Sequence, residues 1–263
     1  MVRGLDVFTK FFEHYSDNYV IIGGTARDII VSESGFRPRA TKDIDIILVV
    51  EVLDSAFAKQ FWSFVSEAQY HVREKSDPKR QYYRFKQPQN TEFPYQIELF
   101  SRVPDILDIK KLSRYTPIPT DEDITSLSAI LMNEDYYQYT IAGSQLHDGI
   151  RIATIETLIC LKAWAYIDLK AAKELGEKID SDKINKHKLD VFRLAVFMPE
   201  ATRFELPQSI KADMQTFANM LAADLPGKAI FKEMGLGSVE PEKVLAQLIK
   251  SFKLNHQNND SEN

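Results

Sequence analysis

The pattern of apolar and polar positions changes character near the middle of the chain. In the first half, short apolar runs typical of β-strands alternate with segments whose apolar residues recur at helical spacing. The predicted strands are 18–22, 43–50, 70–74, 82–86 and 95–100. The predicted helices between them are 7–15, 25–31 and 56–68.

Helical spacing dominates the second half. After a loop marked by Pro117 and Pro119 and a hairpin-like stretch at 127–153, the predicted helices are 155–175, 188–198, 207–223 and 240–253. The segment 170–188 mixes charges of both signs and is interpreted as a solvated connection. Strands followed by helices predict an α+β fold with a helical C-terminal part. The predicted domains are 1–150 and 151–254, followed by a polar, disordered tail at 255–263.

Composition narrows the class of protein. The 263 residues are 44% apolar and include 38 acidic and 33 basic side chains, for a net charge of −5. Apolar runs such as 46–50 fall far below the ~18 residues of a membrane span, and the N-terminus does not continue into a signal-peptide core. The single cysteine, Cys160, excludes an internal disulfide. We therefore expect a cytoplasmic protein with no membrane partner.

Two carboxylates begin one of the predicted strands. Asp43 and Asp45 share a face because side chains alternate along a strand, and their Cα atoms lie about 6.5–7 Å apart. A hard cation such as Mg²⁺ would relieve both their mutual repulsion and their loss of hydration. The alternative is a strand end that simply faces solvent.

Glu98 is a candidate third carboxylate. It lies between Ile97 and Leu99 in a later strand and points to the opposite face from both. If this strand pairs beside the strand of Asp43 and Asp45, three carboxylates converge, as two divalent ions require in phosphoryl transfer. The alternative is a glutamate at an edge or on the surface.

A glycine pair precedes the helix predicted at 25–31. The sequence Gly23-Gly24-Thr25-Ala26-Arg27 joins a strand to a helix start, where backbone N–H groups and the helix dipole attract an anion. Thr25 adds a hydroxyl and Arg27 a charge. The segment is neither a Walker loop nor a dinucleotide fingerprint, and an ordinary turn is the alternative.

Lys162 lies within the apolar stripe of helix 155–175. A buried ammonium group is costly without a partner, so Lys162 is expected to face an anion; snorkelling along the helix edge is the alternative. Asp190 lies near the start of the helix predicted at 188–198. It is either a functional carboxylate or a first-turn residue favoured by the helix dipole.

The segment 71–86 is rich in positive charge. It holds six basic and two acidic residues, for a net charge of +4, with aromatic residues between them. This composition is typical of a solvated hairpin, and it would also suit an RNA backbone.

These motifs together resemble the polymerase β-type nucleotidyltransferase superfamily. The resemblance rests on Gly23-Gly24-Thr25, on Asp43-x-Asp45 and on Glu98. Lys162 in Leu161-Lys162-Ala163 and Asp190 in a basic segment make the chain most similar to the AbiEii-type nucleotidyltransferases of abortive-infection and type IV toxin–antitoxin systems. The resemblance covers roughly residues 18–198. It departs from the family at Glu98, where Asp is common, and in the long gap between Thr25 and Asp43.

The resemblance implies a fold and a reaction. The fold would be a mixed sheet with flanking helices, and the reaction a Mg²⁺-dependent transfer of a nucleoside monophosphate from an NTP to an acceptor hydroxyl. Two Mg²⁺ ions would bind Asp43, Asp45 and Glu98. Asp190 would orient the acceptor or a base, and the nucleotide would contact Gly23, Gly24, Thr25, Arg27 and Lys162.

The resemblance also implies partners. The acceptor would be tRNA or another RNA, and the protein would act as a toxin held in check by an antitoxin. The alternatives are transfer to a small molecule, as in antibiotic nucleotidyltransferases, and a non-catalytic member that binds nucleotide for regulation.

Overall fold

A computed structural model describes residues 2–36, 38, 41–74, 82–100 and 133–255. The chain divides into two compact units. The first, here called the sheet unit, comprises Met1–Glu33 and Pro38–Thr154. The second, the helical unit, comprises Ser34–Arg37 and Ile155–Asn263.

The sheet unit contains a mixed sheet with seven strands among the described residues, in the order β3-β4-β5-β2-β1-β7-β6. The pairs β2–β5 and β1–β7 are parallel, and the other neighbours are antiparallel. The strands are β1 (Tyr19–Ile22), β2 (Asp43–Leu48), β3 (His71–Glu74), β4 (Tyr82–Lys86), β5 (Gln96–Phe100), β6 (Ser144–His147) and β7 (Ile150–Ala153). The helices are α1 (Leu5–Phe11), α2 (Gly23–Glu33), α3 (Ser55–Ala68), α4 (Glu134–Ala142) and a 3-10 turn at Val50–Val52.

Aromatic side chains cover one face of this sheet. Alternation places Ile44 and Ile46 on the same side of β2, and both are buried. Phe8 of α1 packs edge-on against Tyr19 of β1, and Phe61 of α3 lies 5.4 Å from the ring of Phe85 in β4. Side chains alternate along a strand, and the apolar ones pack against α1 and α3. The polar residues between them in β2, β4 and β5 therefore lie on the opposite face of the sheet.

The helical unit consists of five helices among its described residues. They are α5 (Ile155–Glu174), α6 (Ser181–Ala195), α7 (Gln208–Ala223), α8 (Ala229–Glu233) and α9 (Pro241–Ser251). The predicted α+β class, with a mixed sheet, flanking helices and a helical C-terminal region, is therefore confirmed.

The start of α6 corrects the interpretation of 170–188 as a connection. The helix begins at Ser181, seven residues before the predicted start, and its N-cap Asp180 accepts a hydrogen bond from the N–H of Asp182. The first turns are mostly polar and exposed, so they carry little of the apolar periodicity from which a helix is predicted. The N-cap Asp180 stabilises these turns of α6, which have few apolar residues to pack.

Of the hairpin predicted at 127–153, residues 127–132 lie outside the described residues, and a hairpin is present from Ser144 to Ala153. Before it, α4 begins at the N-cap Asn133, whose side chain accepts from the N–H of Asp135. Its tyrosines favour strand by propensity, but Tyr136 and Tyr137 are buried in the fold as part of a helix. The loop at Pro117 and Pro119, residues 75–81 of the basic segment and the tail at 256–263 lie outside the described residues.

None of the described helices combines the length and the apolar character needed to span a bilayer.

Candidate functional site

Strand register gathers six polar residues on the face opposite the aromatic core. Asp45 of β2 is opposite Glu98 of β5, which is opposite Arg84 of β4. In the neighbouring row, Asp43 is opposite Gln96, which is opposite Lys86. We call these six residues the polar face. It unites three predicted carboxylates (Asp43, Asp45 and Glu98), two basic residues of the segment 71–86 (Arg84 and Lys86) and the amide of Gln96.

Glu98 is held by its neighbours on β4 and β5. Its side-chain oxygen Oε1 accepts from Arg84 Nε at 2.6 Å and from Gln96 Nε2 at 2.8 Å. Glu98 is 4% exposed and Arg84 is 7% exposed. Burial raises the pKa of Glu98, the Arg84 charge and hydrogen bond oppose that rise, and the charge of Asp43 adds to it. Asp43 is therefore close enough to interact electrostatically with Glu98.

These contacts decide how well the polar face fits a metal ion. In the part of the chain that the structure describes, no group of three or more His, Cys, Asp or Glu side chains is arranged to hold a metal. Glu98 fits this role less well than the two aspartates, because its Oε1 is already engaged by Arg84 and Gln96. Asp43 and Asp45 do fit, since they offer two half-buried carboxylates on one face of β2, the oxygen chemistry that Mg²⁺ prefers.

The glycine pair lies directly against the aspartates. α2 begins at Gly23, whose φ of +69° is in the left-handed region. A Cβ at this position would lie 2.0 Å from Oδ2 of Asp45, so only glycine lets the backbone approach this carboxylate so closely. Thr25 donates from Oγ1 to the backbone carbonyl of Asp43 at 2.6 Å. The predicted anion-binding turn and the paired carboxylates thus form one continuous structure.

Arg27 has a different environment from the one expected. Its guanidinium donates to Asp28 Oδ1 from Nε at 2.9 Å and from Nη2 at 2.6 Å, and Nη2 lies 3.4 Å from Thr41 Oγ1. Both charged residues are buried. The structure therefore gives the Arg27 charge an internal partner at the next position of the same helix. Its role in nucleotide binding stays a prediction.

Replacing Gly23 by alanine tests the close approach. We expect Gly23→Ala to destabilise the sheet unit by more than about 2 kcal/mol, because it adds a clash with Asp45 to the ~1–2 kcal/mol cost of a left-handed residue. Urea unfolding would be followed by the fluorescence of Trp62, with Trp164 replaced by Phe so that only the sheet unit reports.

Gly149→Ala is the matched control. Its φ of +85° carries the same backbone strain, but its nearest neighbour is an ordinary contact at 3.7 Å. Equal destabilisation of the two variants would show that the approach to Asp45 adds nothing.

Lys162 and Asp190 meet inside the helical unit. Lys162 Nζ in α5 lies 3.8 Å from Asp190 Oδ2 in α6, and Arg193 Nη1 lies 3.2 Å from Asp190 Oδ1. Lys162 is 6% exposed and Asp190 is 1% exposed. The expectation that Lys162 faces an anion is met by a carboxylate of this chain. Asp190 is the tenth residue of α6, so it is not a first-turn residue: the helix starts earlier than its apolar pattern indicates.

His187 lies one turn before Asp190. Its Nδ1 is buried and has no hydrogen-bond partner among the described residues. Burial first, and the Lys162 charge second, lower the pKa of His187 to about 3, against the opposing effect of the Asp190 charge. His187 is therefore neutral at physiological pH, so the positive charge near Asp190 comes from Lys162 and Arg193.

Sequence reasoning missed Arg84, Gln96 and Arg193 as neighbours of the predicted carboxylates. Arg84 and Gln96 occupy alternate positions of strands whose apolar residues were recognised, so their face could be predicted once β4 and β5 were known to pair. Arg193 lies three residues after Asp190 in a helix, a spacing at which opposite charges meet. The spacing of Asp190 and Arg193 could therefore have been recognised in the sequence, whereas the pairing of β4 with β5 could not.

Comparisons with known proteins found one similar solved structure and no matching family. No protein-family model matches the sequence, and no curated protein matches it either. One solved structure, an antigenic nucleotidyltransferase-like protein from Paracoccidioides brasiliensis, is similar at 14% sequence identity with a TM-score of 0.46. The alignment covers 94% of this chain and 90% of that one.

Proposed function

We propose that the protein is a Mg²⁺-dependent nucleotidyltransferase that moves a nucleoside monophosphate from an NTP to an acceptor hydroxyl. The observation that carries the proposal is the junction of Asp43 and Asp45 with the Gly23 turn, where the backbone approaches the Asp45 carboxylate too closely for any side chain. Paired carboxylates beside a glycine turn at a helix start are suited to a triphosphate that arrives with a divalent ion.

The residues of the sheet unit have distinct roles in this proposal. Asp43 and Asp45 hold a divalent cation, which supplies charge neutralisation for the phosphates when it is bound. The start of α2 at Gly23 and Gly24, where the helix dipole is positive, attracts the phosphates. Thr25 fixes the turn to β2 through its bond to the Asp43 carbonyl. Catalysis would come mainly from positioning and charge neutralisation.

The sequence resemblance extends the proposal to Lys162, Asp190 and Arg27. Lys162 would neutralise phosphate charge, Asp190 would orient the acceptor or a base, and Arg27 would assist phosphate binding. The same resemblance makes tRNA or another RNA the acceptor and an antitoxin the partner, within a toxin–antitoxin or phage-defence system. Lys162 and Asp190 already neutralise each other in part, so their participation requires a nucleotide or acceptor to compete with that ion pair.

A non-catalytic, nucleotide-binding role is favoured by one observation. Glu98, the third carboxylate of the resemblance, accepts a hydrogen bond from Arg84 at its Oε1, and among the described residues no group of three carboxylates is arranged to hold a metal. A site with two ligating carboxylates can retain metal–nucleotide binding without activating an acceptor.

The decisive experiment follows both binding and transfer. The wild-type protein would be incubated with each α-³²P-labelled NTP, with Mg²⁺ or with EDTA, and with total RNA, purified tRNA or a panel of small hydroxylated molecules. We expect label in one acceptor class only when Mg²⁺ is present. Isothermal calorimetry with the same nucleotides would show Mg²⁺-dependent binding.

The outcomes separate the candidates. Label in RNA supports the RNA-directed enzyme, and label in a small molecule replaces RNA as the acceptor. Mg²⁺-dependent binding without label in any acceptor supports the regulatory role. Absence of both nucleotide binding and labelling contradicts the proposal in all its forms.

A further inference from the structure

Charges alternate across the first row of the polar face. Arg84, Glu98 and Asp45 are opposite one another on three adjacent strands, so Arg84 and Asp45 lie on the two strands that flank the strand of Glu98. The Arg84–Glu98 pair is almost fully buried. A cation fixed at this position is unexpected if Glu98 is to bind a metal ion.

The geometry shows why Arg84 and a metal would compete. Glu98 Oε1 already accepts two hydrogen bonds, from Arg84 Nε and from Gln96 Nε2. A guanidinium does not lose its proton in proteins, so it cannot yield its place by becoming neutral. A divalent ion bound to Glu98 would lie within a few ångströms of this charge, with little water to screen the repulsion.

Gln96 reinforces this arrangement. It lies two residues before Glu98 on the same face of β5, and its amide donates to the carboxylate oxygen that binds Arg84. An amide donor stabilises the carboxylate without adding charge. Glu98 is thereby provided with protein partners, as a buried carboxylate requires in the absence of a metal.

We propose that Arg84 takes the place of a second divalent ion on the polar face. Glu98 then anchors Arg84 and is not a metal ligand, and the face binds a single divalent cation at Asp43 and Asp45. Arg84 is a positioning residue, since it acts by holding Glu98. The inference rests on the proposed function only in assuming that Asp43 and Asp45 bind a divalent cation.

The proposal makes the number of bound ions depend on Arg84. With Arg84 present, the chain binds one ion. With the guanidinium removed, Glu98 becomes a buried carboxylate beside Asp43 and Asp45, and the three can recruit a second ion. With both Arg84 and Glu98 made neutral, the number returns to one.

The experiment counts Mn²⁺ ions on the full chain by electron paramagnetic resonance of the unbound metal, without nucleotide. We expect one ion for wild type, two for Arg84→Met, and one for Arg84→Met/Glu98→Gln with an affinity within about threefold of wild type. Arg84→Lys keeps a positive charge at this position, so the variant protein is expected to bind one ion. If Arg84 had only a structural role, the ion count would not depend on the charge at this position. Arg151→Met, which removes an arginine paired with Asp17 elsewhere in the sheet unit, is the matched control and should leave the count at one.

Folding is checked by circular dichroism for every variant. If Arg84→Met fails to fold, Arg84→Met/Glu98→Gln still tests whether Glu98 is a metal ligand. This double variant is expected to fold, because replacing a buried ion pair by uncharged residues of similar size is tolerated. A tenfold or greater loss of Mn²⁺ affinity in that variant would show that Glu98 is a ligand and overturn the inference.

Two further results have different meanings. Two ions on the wild-type protein would overturn the inference and leave the proposed function intact. No ion on the wild-type protein would overturn the inference together with the metal dependence on which the proposed function relies.

Discussion

An Asp43→Asn/Asp45→Asn protein is expected to lose nucleotide transfer by at least about 100-fold while retaining its fold. The loss follows because an amide replaces each negative charge by a neutral group and no longer balances a divalent cation. The side chains keep nearly the same size, and the change removes the like charge that raises the pKa of Glu98. The variant should therefore keep the circular-dichroism spectrum and the cooperative unfolding of the wild-type protein.

The measurement compares initial rates of label transfer to the acceptor found for the wild-type protein, together with urea unfolding of both proteins. Asp148→Asn is the matched control, because it removes an exposed carboxylate of the β6–β7 turn at a φ of 45° that asparagine tolerates. The control should transfer at the wild-type rate. A double variant that transfers within threefold of wild type would mean that Asp43 and Asp45 do not take part.

Asp190→Ala is expected to destabilise the helical unit by about 3–5 kcal/mol, since it leaves buried cations without their shared carboxylate. Lys162 is the residue most affected, because it is nearly inaccessible to water. Arg193 retains a second carboxylate, Glu233, at 3.8 Å. Lys162→Met should cost less, because Asp190 keeps its contact with Arg193.

Unfolding of the two units must be separated for this test, and the chain offers a simple way to do so. Its two tryptophans lie in different units, Trp62 in α3 and Trp164 in α5. In a Trp62→Phe background, the remaining fluorescence reports the helical unit alone. The double variant Lys162→Met/Asp190→Ala should be more stable than the sum of the single losses predicts, by about 1 kcal/mol or more. Strict additivity would show that the two side chains do not interact.

This second result also bears on the interpretation of Lys162. The argument from its place in an apolar stripe predicts that a buried lysine needs an anion, and Asp190 supplies one within the chain. If the coupling is large, burial of Lys162 is explained without any ligand. A functional role would then require a separate sign, such as weaker NTP binding by Lys162→Met when the stability of the variant is intact.

Local pattern determined the element types and the face on which each candidate residue lies. The strand at 82–86 matches β4 at both ends, and the strand of Asp43 and Asp45 starts where expected. Strand alternation depends on neighbouring residues only, so Asp43 and Asp45 are assigned to one face without knowledge of the rest of the fold. Helix α4 was not predicted, and α6 starts earlier than predicted. Both features depend on tertiary burial and on N-caps, which the pattern of apolar residues does not reveal.

The sequence by itself therefore determined that carboxylates and a glycine turn occupy the ends of successive elements. Only the tertiary structure decided what surrounds them. Whether Glu98 is opposite Asp45 depends on the pairing of strands more than fifty residues apart, and the same register brings Arg84 to the far side of Glu98. Pairing is set by the burial of whole strand faces and not by adjacent residues. For that reason the charges could be recognised in the sequence, while their partners could be identified only in the fold.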